Sequence, residues 1–498
     1  MLTQKDFDSI LKRANRLYAN FELELISEIA ERIANVGYAN TIVYNDVVIA
    51  QEMGMMYQDV IGLVAKYNNT ASDEIVQIFK EAGLSSIRLD DRIYKEAGLN
   101  PKGLSPSMIQ LLTATARKTS NDLTNLCMTT AETSQTQFYN AINKAYLETL
   151  TGTKSYSTAI VDAIKDVSQQ GAYVSYGNRK MSLEASTRMN IITGVNQTSG
   201  KLQLMRAEEM DWDLMEISAH SGARPEHAEW QGKIVSRSGK KGYLTLEDIG
   251  YGTITGFLGI NCRHTWFPYY EGSSLNYTNK ELEELKNEKV IYNGQEYTKY
   301  EASQLQRKME RQIRQDKKDI VGLQGVLKSN ISDEEVLKDT RSAFAKKSLT
   351  YKNHQNQLND FISQTSLKKD NTRLLIANGY DKKMSTQISQ VTKIAEKYNN
   401  SDIIGTKVNG VEIKEIGEHI ISRTYGRSLK FEDVEDALKN PLDCGKIKED
   451  KQGRKSFSVI GEKVTVYVNP ETGKITTTHS TSSKKAQKLK EKKDENNK

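Results

Sequence analysis

Four side chains in the middle of the chain carry the donor chemistry of a metal site: His220, His227, Cys262 and His264. Three imidazoles and one thiolate form a ligand mix suited to four-coordinate zinc. The spacings, His220-x6-His227 and Cys262-x-His264, are not those of a standard zinc finger, so a second arrangement stays open. In it the imidazoles hydrogen-bond backbone carbonyls across a loop while Trp230 and Trp266 fill a small core. A third use, with Cys262 as nucleophile and His264 as its base on the same face of a strand, lacks any identifiable group to orient the base.

The surrounding stretch, from Ile217 to Gly272, gathers residue types that the chain otherwise uses sparingly. It holds three of six histidines, two of three tryptophans, one of three cysteines, and Pro225 and Pro268 of six prolines. Glycines at 250, 252, 256 and 259 predict a tightly turned loop that delivers Cys262 and His264 to a fixed place. The segments AHSGARPEHAEWQGK, GYG, GINCRH and FPYYEG, in this order and spacing, together with YEASQLQRKMER further on, resemble the phage minor capsid protein 2 family, relatives of the Mu-type head morphogenesis proteins. The resemblance runs from near Met1 to about residue 330. It implies a minor structural protein of a phage head, associated with the portal or inner capsid, and no established chemistry for the histidines.

A second set of chemistry-bearing residues lies near the carboxyl end. Metal-free cleavage of RNA needs a base for the 2′-hydroxyl proton, an acid for the leaving oxygen and cations on the phosphate. His419 titrates in the right range, and Arg423, one helical turn on, with Arg427, offers bidentate bonds to phosphate. On the last strand Thr476, Thr478 and Ser480 share one face and Ile475, Thr477 and His479 the other. The Thr478 face is assigned to substrate contacts, with His479 as an acid. The alternative keeps His419 as a surface residue paired with Glu415, and Arg423 solvated. Through EHIISR, EDVEDALKNPL and VNPETGKITT the segment resembles the phage-associated branch of the barnase, EndoU, colicin and RelE nuclease superfamily, which implies a metal-independent ribonuclease. Where such domains often open the second helix with Ser or Thr this chain has Lys430, leaving Ser428 as the cap.

The elements that must position these groups follow from periodicity. Ile10, Leu11, Ala14, Leu17, Phe21, Leu25, Ile29 and Ile33 fall on one helical face ending near Gly37. A second helical run covers Val47 to Tyr67, and Thr70 with Asp73 predicts a new start that closes at Gly83. Two prolines in Asn100-Pro-Lys-Gly-Leu-Ser-Pro break the pattern before helix resumes over Met108 to Leu150. Cys127, among Leu123, Leu126 and Met128, reads as a core thiol. Helices over 157–171 and 183–210 then lead to a strand over Leu214 to Ser218. Leu305, Met309, Ile313, Ile320, Leu323 and Leu327 form another helical stripe, with interspersed Arg and Lys read as a solvated face. His354 has no sequence-adjacent partner.

The expected layout is multidomain: a mostly α scaffold over 1–160, an α+β central domain over 161–275 with the Cys/His knot, and a charged helical spacer over 276–400. A small α+β domain over 401–483, two helices plus a four-stranded antiparallel meander, and a disordered basic tail over 484–498 complete it. The tail carries seven lysines against three acids. The 498 residues exceed one core, no run approaches the 18 apolar residues of a bilayer span, and a net charge of +6 is too small to mark the whole chain as a nucleic-acid binder. Three distant cysteines and an amphipathic amino terminus predict synthesis in a reducing cytoplasm.

These readings predict a phage head component located in the virion, present in the host cytoplasm during assembly, with portal and capsid proteins as partners and no membrane. Zinc is the one cofactor expected, in a structural role. RNA is the expected ligand of the carboxyl-terminal domain. The alternative is a toxin-type ribonuclease that uses its capsid-like half for packaging or delivery and is countered by an immunity protein.

Overall fold

The computed structural model describes residues 4–36, 42–170, 173–176, 179–329, 331, 333–369, 374, 382–450 and 453–496. Five long helices open the chain: α1 (Gln4–Val36), α2 (Ile42–Glu96), α3 (Pro106–Leu150), α4 (Tyr156–Gln170) and α5 (Leu183–Glu209), with a hairpin of β1 (Tyr173–Tyr176) and β2 (Arg179–Ser182) before α5. Ser105 caps α3 and Pro106 occupies its first turn, where a missing N–H costs nothing. Helix α2 runs without interruption through Thr70 and Gly83, where a start and a stop were expected. Gly83 marks a close helix crossing instead: a Cβ there would meet the Leu112 side chain on α3 at 2.6 Å. Gly37 lies outside the described residues, as do the side chains of Leu11, Ala14, Leu17 and residues 47–57.

The segment expected to be a spacer is part of the main core. Helices α8 (Lys299–Lys328) and α9 (Glu334–Thr365) pack on α1 and α4, and Ile320, Leu323 and Phe344 join Phe21, Ile33, Phe79, Phe138, Ile164 and Ile191 in one apolar cluster. The charges of α8 are correspondingly internal. Lys318 pairs with Glu22 of α1 at 2.5 Å, Arg314 with Glu184 of α5 at 3.1 Å, and Lys347 of α9 with Asp319 at 2.8 Å. His354 of α9 meets Asp316 of α8 at 2.6 Å. Sequence periodicity located the stripe but not the second, polar face buried by α1, α5 and α9. Cys127 is fully buried in this core, and burial pushes its thiol up to about 12.

Between α5 and α8 lies a small unit on a three-stranded sheet, β3 (Leu214–Ile217) at the centre with β4 (Ile234–Ser236) and β5 (Trp266–Pro268) antiparallel on either side. The single-turn helix α6 (Pro225–Ala228) follows β3. After β5 come α7 (Asn279–Asn287) and the hairpin of β6 (Lys289–Tyr292) and β7 (Gln295–Thr298), the helices α7 and α8 each opened by a Thr/Glu capping box.

Helix α10 (Lys382–Asn399) straddles two cores: Met384, Ile388 and Val391 belong to the helical body, and Ala395 and Tyr398 to the carboxyl-terminal domain. That domain adds a two-residue-stranded hairpin, β8 (Lys407–Val408) and β9 (Val411–Glu412), then β10 (Glu415–Ile416), α11 (Glu418–Gly426), α12 (Phe431–Lys439) and the strands β11 (Asp443–Cys444), β12 (Lys448–Glu449), β13 (Lys455–Ile460), β14 (Val464–Val468) and β15 (Lys474–Ser480). The strands run β10-β15-β14-β13-β11, with β12 also on β13, so the antiparallel meander carries a parallel edge strand that the sequence did not reveal. Lys430 sits at the cap position of α12 without a side-chain cap bond, and Ser428 stands before it at φ 53°, in the left-handed region, so it is not the cap.

The basic tail is not disordered over the described residues. It forms α13 (Ser483–Asn496), held by Ala486, 5% exposed, by Lys490 against Glu462 at 2.7 Å and by Lys493 donating to the Pro441 carbonyl at 3.1 Å.

Candidate functional site

The glycine loop of the central unit is tight for two reasons. Gly250 and Gly252 adopt φ of 61° and 84°, and at Gly256 a Cβ would lie 2.0 Å from the Gly250 carbonyl oxygen, so no larger residue fits. The loop, not a strand, carries Cys262 and His264, with β5 starting only at Trp266. From the other side α6 presents His227. Asn196 on α5 clamps the chain between them, its amide donating to the carbonyls of Cys262 at 3.0 Å and His264 at 3.2 Å.

Three of the four expected ligands converge. His227, Cys262 and His264 are all buried, and one donor atom from each lies within 4.8 Å of the others. Nδ1 of His264 is 3.4 Å from Nδ1 of His227 and 3.6 Å from Sγ of Cys262. His220 does not join them. Its ring stacks on that of His264 with centroids 4.3 Å apart, and its Nδ1 bonds its own neighbour, the Ser221 carbonyl, at 3.1 Å.

Hydrogen bonds behind the rings set the tautomers. A carbonyl oxygen only accepts, so Nε2 of His227, 2.7 Å from the Thr255 oxygen, carries the proton. Nε2 of His264 lies 3.0 Å from Oε1 of Gln231, an oxygen that also accepts the His220 backbone N–H at 2.9 Å, so it too donates. Both Nδ1 atoms are therefore lone pairs in the neutral rings, and they face each other. Burial lowers the affinity of both imidazoles for a second proton, most strongly for His264, and raises the Cys262 thiol. Around the group stand Trp230, with its ring 4.7 Å from that of His264, and Phe257 and Trp266, centroids 4.8 Å apart.

The same three residues share the wall of a cleft of about 1100 Å³, whose far side is built by α5 and α8 and whose lining includes Arg188, Arg224, Arg307, Arg311 and Glu184. Asn196, Gln231 and the Thr255 carbonyl were not singled out from sequence. Gln231 stands one residue after Trp230 inside the quoted motif, and Asn196 lies in a run, Asn196 to Gly200, too polar for an ordinary buried helix face. Those two features are the signals available.

In the carboxyl-terminal domain the expected residues lie near one another, with Arg423 and Arg427 already engaged by protein partners. Nε of Arg423 donates to Nε2 of His419 at 3.3 Å, and its guanidinium pairs with Asp339 of α9 at 2.6 Å, so Arg423 is neither solvated nor free for phosphate as it stands. Glu415 pairs with Lys474, not with His419. Arg427 donates to the Thr478 carbonyl at 2.6 Å, and Tyr467 and His479 meet through hydroxyl and Nε2 at 3.0 Å. The assignment of the Thr478 face to substrate is corrected. A register shift beside Tyr467 places Thr476 in a bulge, so Ile475 and Thr478 both point into the core, and the Thr478 hydroxyl bonds the Thr465 carbonyl at 3.1 Å. Thr477 and His479 take the outer face. Burial and the neighbouring Arg423 and Arg427 lower the proton affinity of His419.

Residues 2–363 match the family model for phage minor capsid protein 2, which covers the Cys/His unit and the helical body through nearly all of α9. The chain belongs to that family. It is 32% identical over 281 residues to a structural protein of Lactococcus phage LL-H, an alignment spanning 53% of this chain and 73% of that protein. It is 44% identical over 72 residues to a structural protein of Lactococcus phage mv4, spanning 14% of this chain and half of the relative's length. No solved structure matches. The match to the family ends before the carboxyl-terminal domain, and among the described helices none is long and apolar enough to cross a membrane.

Proposed function

We propose that this phage structural protein is a minor component of the head that seats against the portal or the inner shell through its helical body. Membership of the minor capsid family carries the reading. A surface suited to the contact lies on α3, where Tyr139, Leu147 and Leu150, 45%, 57% and 60% exposed, occupy one side of the last three turns. Purified virions should contain the protein at a fixed low copy. Phage carrying Leu147→Glu with Leu150→Glu, both at solvent-exposed positions, should assemble heads with at least tenfold less of it. Normal copy in that variant removes α3 from the contact, and absence of the wild-type protein from virions removes the reading.

A second role, metal-independent cleavage of RNA by residues 401–483, is supported by the grouping of His419, Arg423 and Arg427 on successive turns beside the Tyr467–His479 pair. His419 would move the proton and Arg427 hold the phosphate, with Arg423 released from Asp339. Full-length protein incubated with RNA and a chelator should cleave it, and His419→Ala should lower the rate by about a hundredfold. Equal rates would exclude His419, and no cleavage by the wild type would remove this role while leaving the first intact. In the toxin reading the helical half serves delivery and an immunity protein covers this domain; a fixed low copy in virions favours the head component.

A further inference from the structure

We propose that His227, Cys262 and His264 bind one zinc ion through Nδ1, Sγ and Nδ1, with a water from the adjoining cleft as the fourth ligand and His220 outside the coordination shell. Zinc holds imidazole nitrogen at about 2.0–2.1 Å and thiolate sulfur at about 2.3 Å, and a tetrahedral angle then separates two nitrogens by about 3.3 Å and a nitrogen from the sulfur by about 3.6 Å. The distances between the donors are 3.4 Å for the two Nδ1 atoms and 3.6 Å for Nδ1 of His264 and Sγ. Two of the three pairs have the spacing of ligands on one ion, and the third lies within 4.8 Å.

The hydrogen bonds behind the ligands point the same way. Metal-bound imidazoles characteristically donate their remaining N–H to an oxygen, which fixes the ring and its tautomer. Thr255 and Gln231 supply those oxygens. With both outer nitrogens protonated, two lone pairs face each other across 3.4 Å inside an aromatic shell, an arrangement that repels unless a cation lies between them. The thiol has one proton and sits nearest His264, which leaves the His227 lone pair with no donor among the described contacts. A divalent ion satisfies all three atoms at once. Two imidazoles and a thiolate select zinc over the hard divalent cations, and loss of the thiol proton on binding offsets one of its two charges.

His220 is excluded by its other contacts: its ring stacks on that of His264 with centroids 4.3 Å apart, its Nδ1 bonds the Ser221 carbonyl, and among the described residues it falls outside the group whose donor atoms lie within 4.8 Å of one another. His227, Cys262 and His264 all line the cleft, which can supply solvent to the fourth position.

The full-length protein, purified without chelators, should contain about one zinc per chain by elemental analysis. After removal of zinc, titration with Co(II) should saturate at one equivalent with the intense visible bands of a tetrahedral site and a thiolate charge-transfer band. His220→Ala should keep the stoichiometry, whereas His264→Ala and Cys262→Ser should each retain less than a tenth of it, and Cys262→Ser should lack the charge-transfer band. Wild-type protein that neither carries zinc nor takes up Co(II) overturns the site, whatever the variants do to folding. Loss of metal in His220→Ala equal to that in His264→Ala, with circular dichroism unchanged, overturns the three-ligand assignment.

Discussion

The Cys/His unit and the carboxyl-terminal domain both hang on the helical body, but by different means. Asn196 and Gln203 of α5 reach into the first: Gln203 donates to the Trp266 carbonyl at 2.6 Å and to the carboxylate of Asp90 on α2 at 3.0 Å, all of it out of water. The second is joined through the partly exposed Arg423–Asp339 pair, the stacking of Tyr425 on Phe344, centroids 6.1 Å apart, and α10, which runs from one core into the other. Breaking a buried amide contact incurs the full desolvation cost of the groups left unpaired, while an ion pair nearer water exchanges its partner for solvent. The histidines of the central unit are therefore held by buried neighbours, whereas His419 and His479 are held by Arg423 and Tyr467, partners nearer to water.

The largest effect is expected from Trp266→Ala, which removes a fully buried ring packed between Tyr251 and Phe257. It should lower stability by about 3–5 kcal/mol in chemical denaturation; a loss below about 1 kcal/mol would mean that the central unit has no rigid core. Next is a pH effect at the junction itself. Burial pushes Asp90 up to about 7, so the folded protein keeps a proton that the unfolded chain gives up near pH 4. Its contribution is full below the unfolded value and is lost as pH rises through about 7. Asp90→Asn, which keeps an acceptor for Gln203, should therefore gain stability relative to wild type between pH 4 and 8, by up to about 4 kcal/mol from a shift of about three units. Parallel melting curves for the two proteins across that range would contradict the buried junction.

Asn196→Ala should cost about 1–3 kcal/mol, since two buried carbonyls lose their donor. The smallest effect belongs to the terminal domain. A double-mutant cycle on Arg423 and Asp339 should give a coupling of about 1 kcal/mol or less. A coupling as large as the Asn196 loss would erase the contrast between the two attachments.

Much of this was legible before the fold was known. The helices of the body follow from apolar residues at steps of three and four, and the loop before Cys262 from its glycines, because both signals depend on neighbours in sequence. The spacer was misread because the stripe of α8 reports one buried face, whereas Lys318, Arg314 and Asp319 are buried by partners nearly three hundred, one hundred and thirty, and about thirty residues away. The tail was misread because lysine content describes a surface, and α13 lies on one.

By itself the sequence determined the family, the helical class and the short list of donors His220, His227, Cys262 and His264, since residue type and order are enough for recognition and for chemistry in kind. Which three of the four meet, which face of the last strand turns inward and what Arg423 touches were decided only by tertiary structure. A stacking contact removed His220, a single bulged residue at Thr476 reversed the face of Thr478, and a helix from elsewhere in the chain brought Asp339 to Arg423. Each is a shift of a few ångströms between groups distant in sequence, and spacing along a chain does not encode distances across a fold.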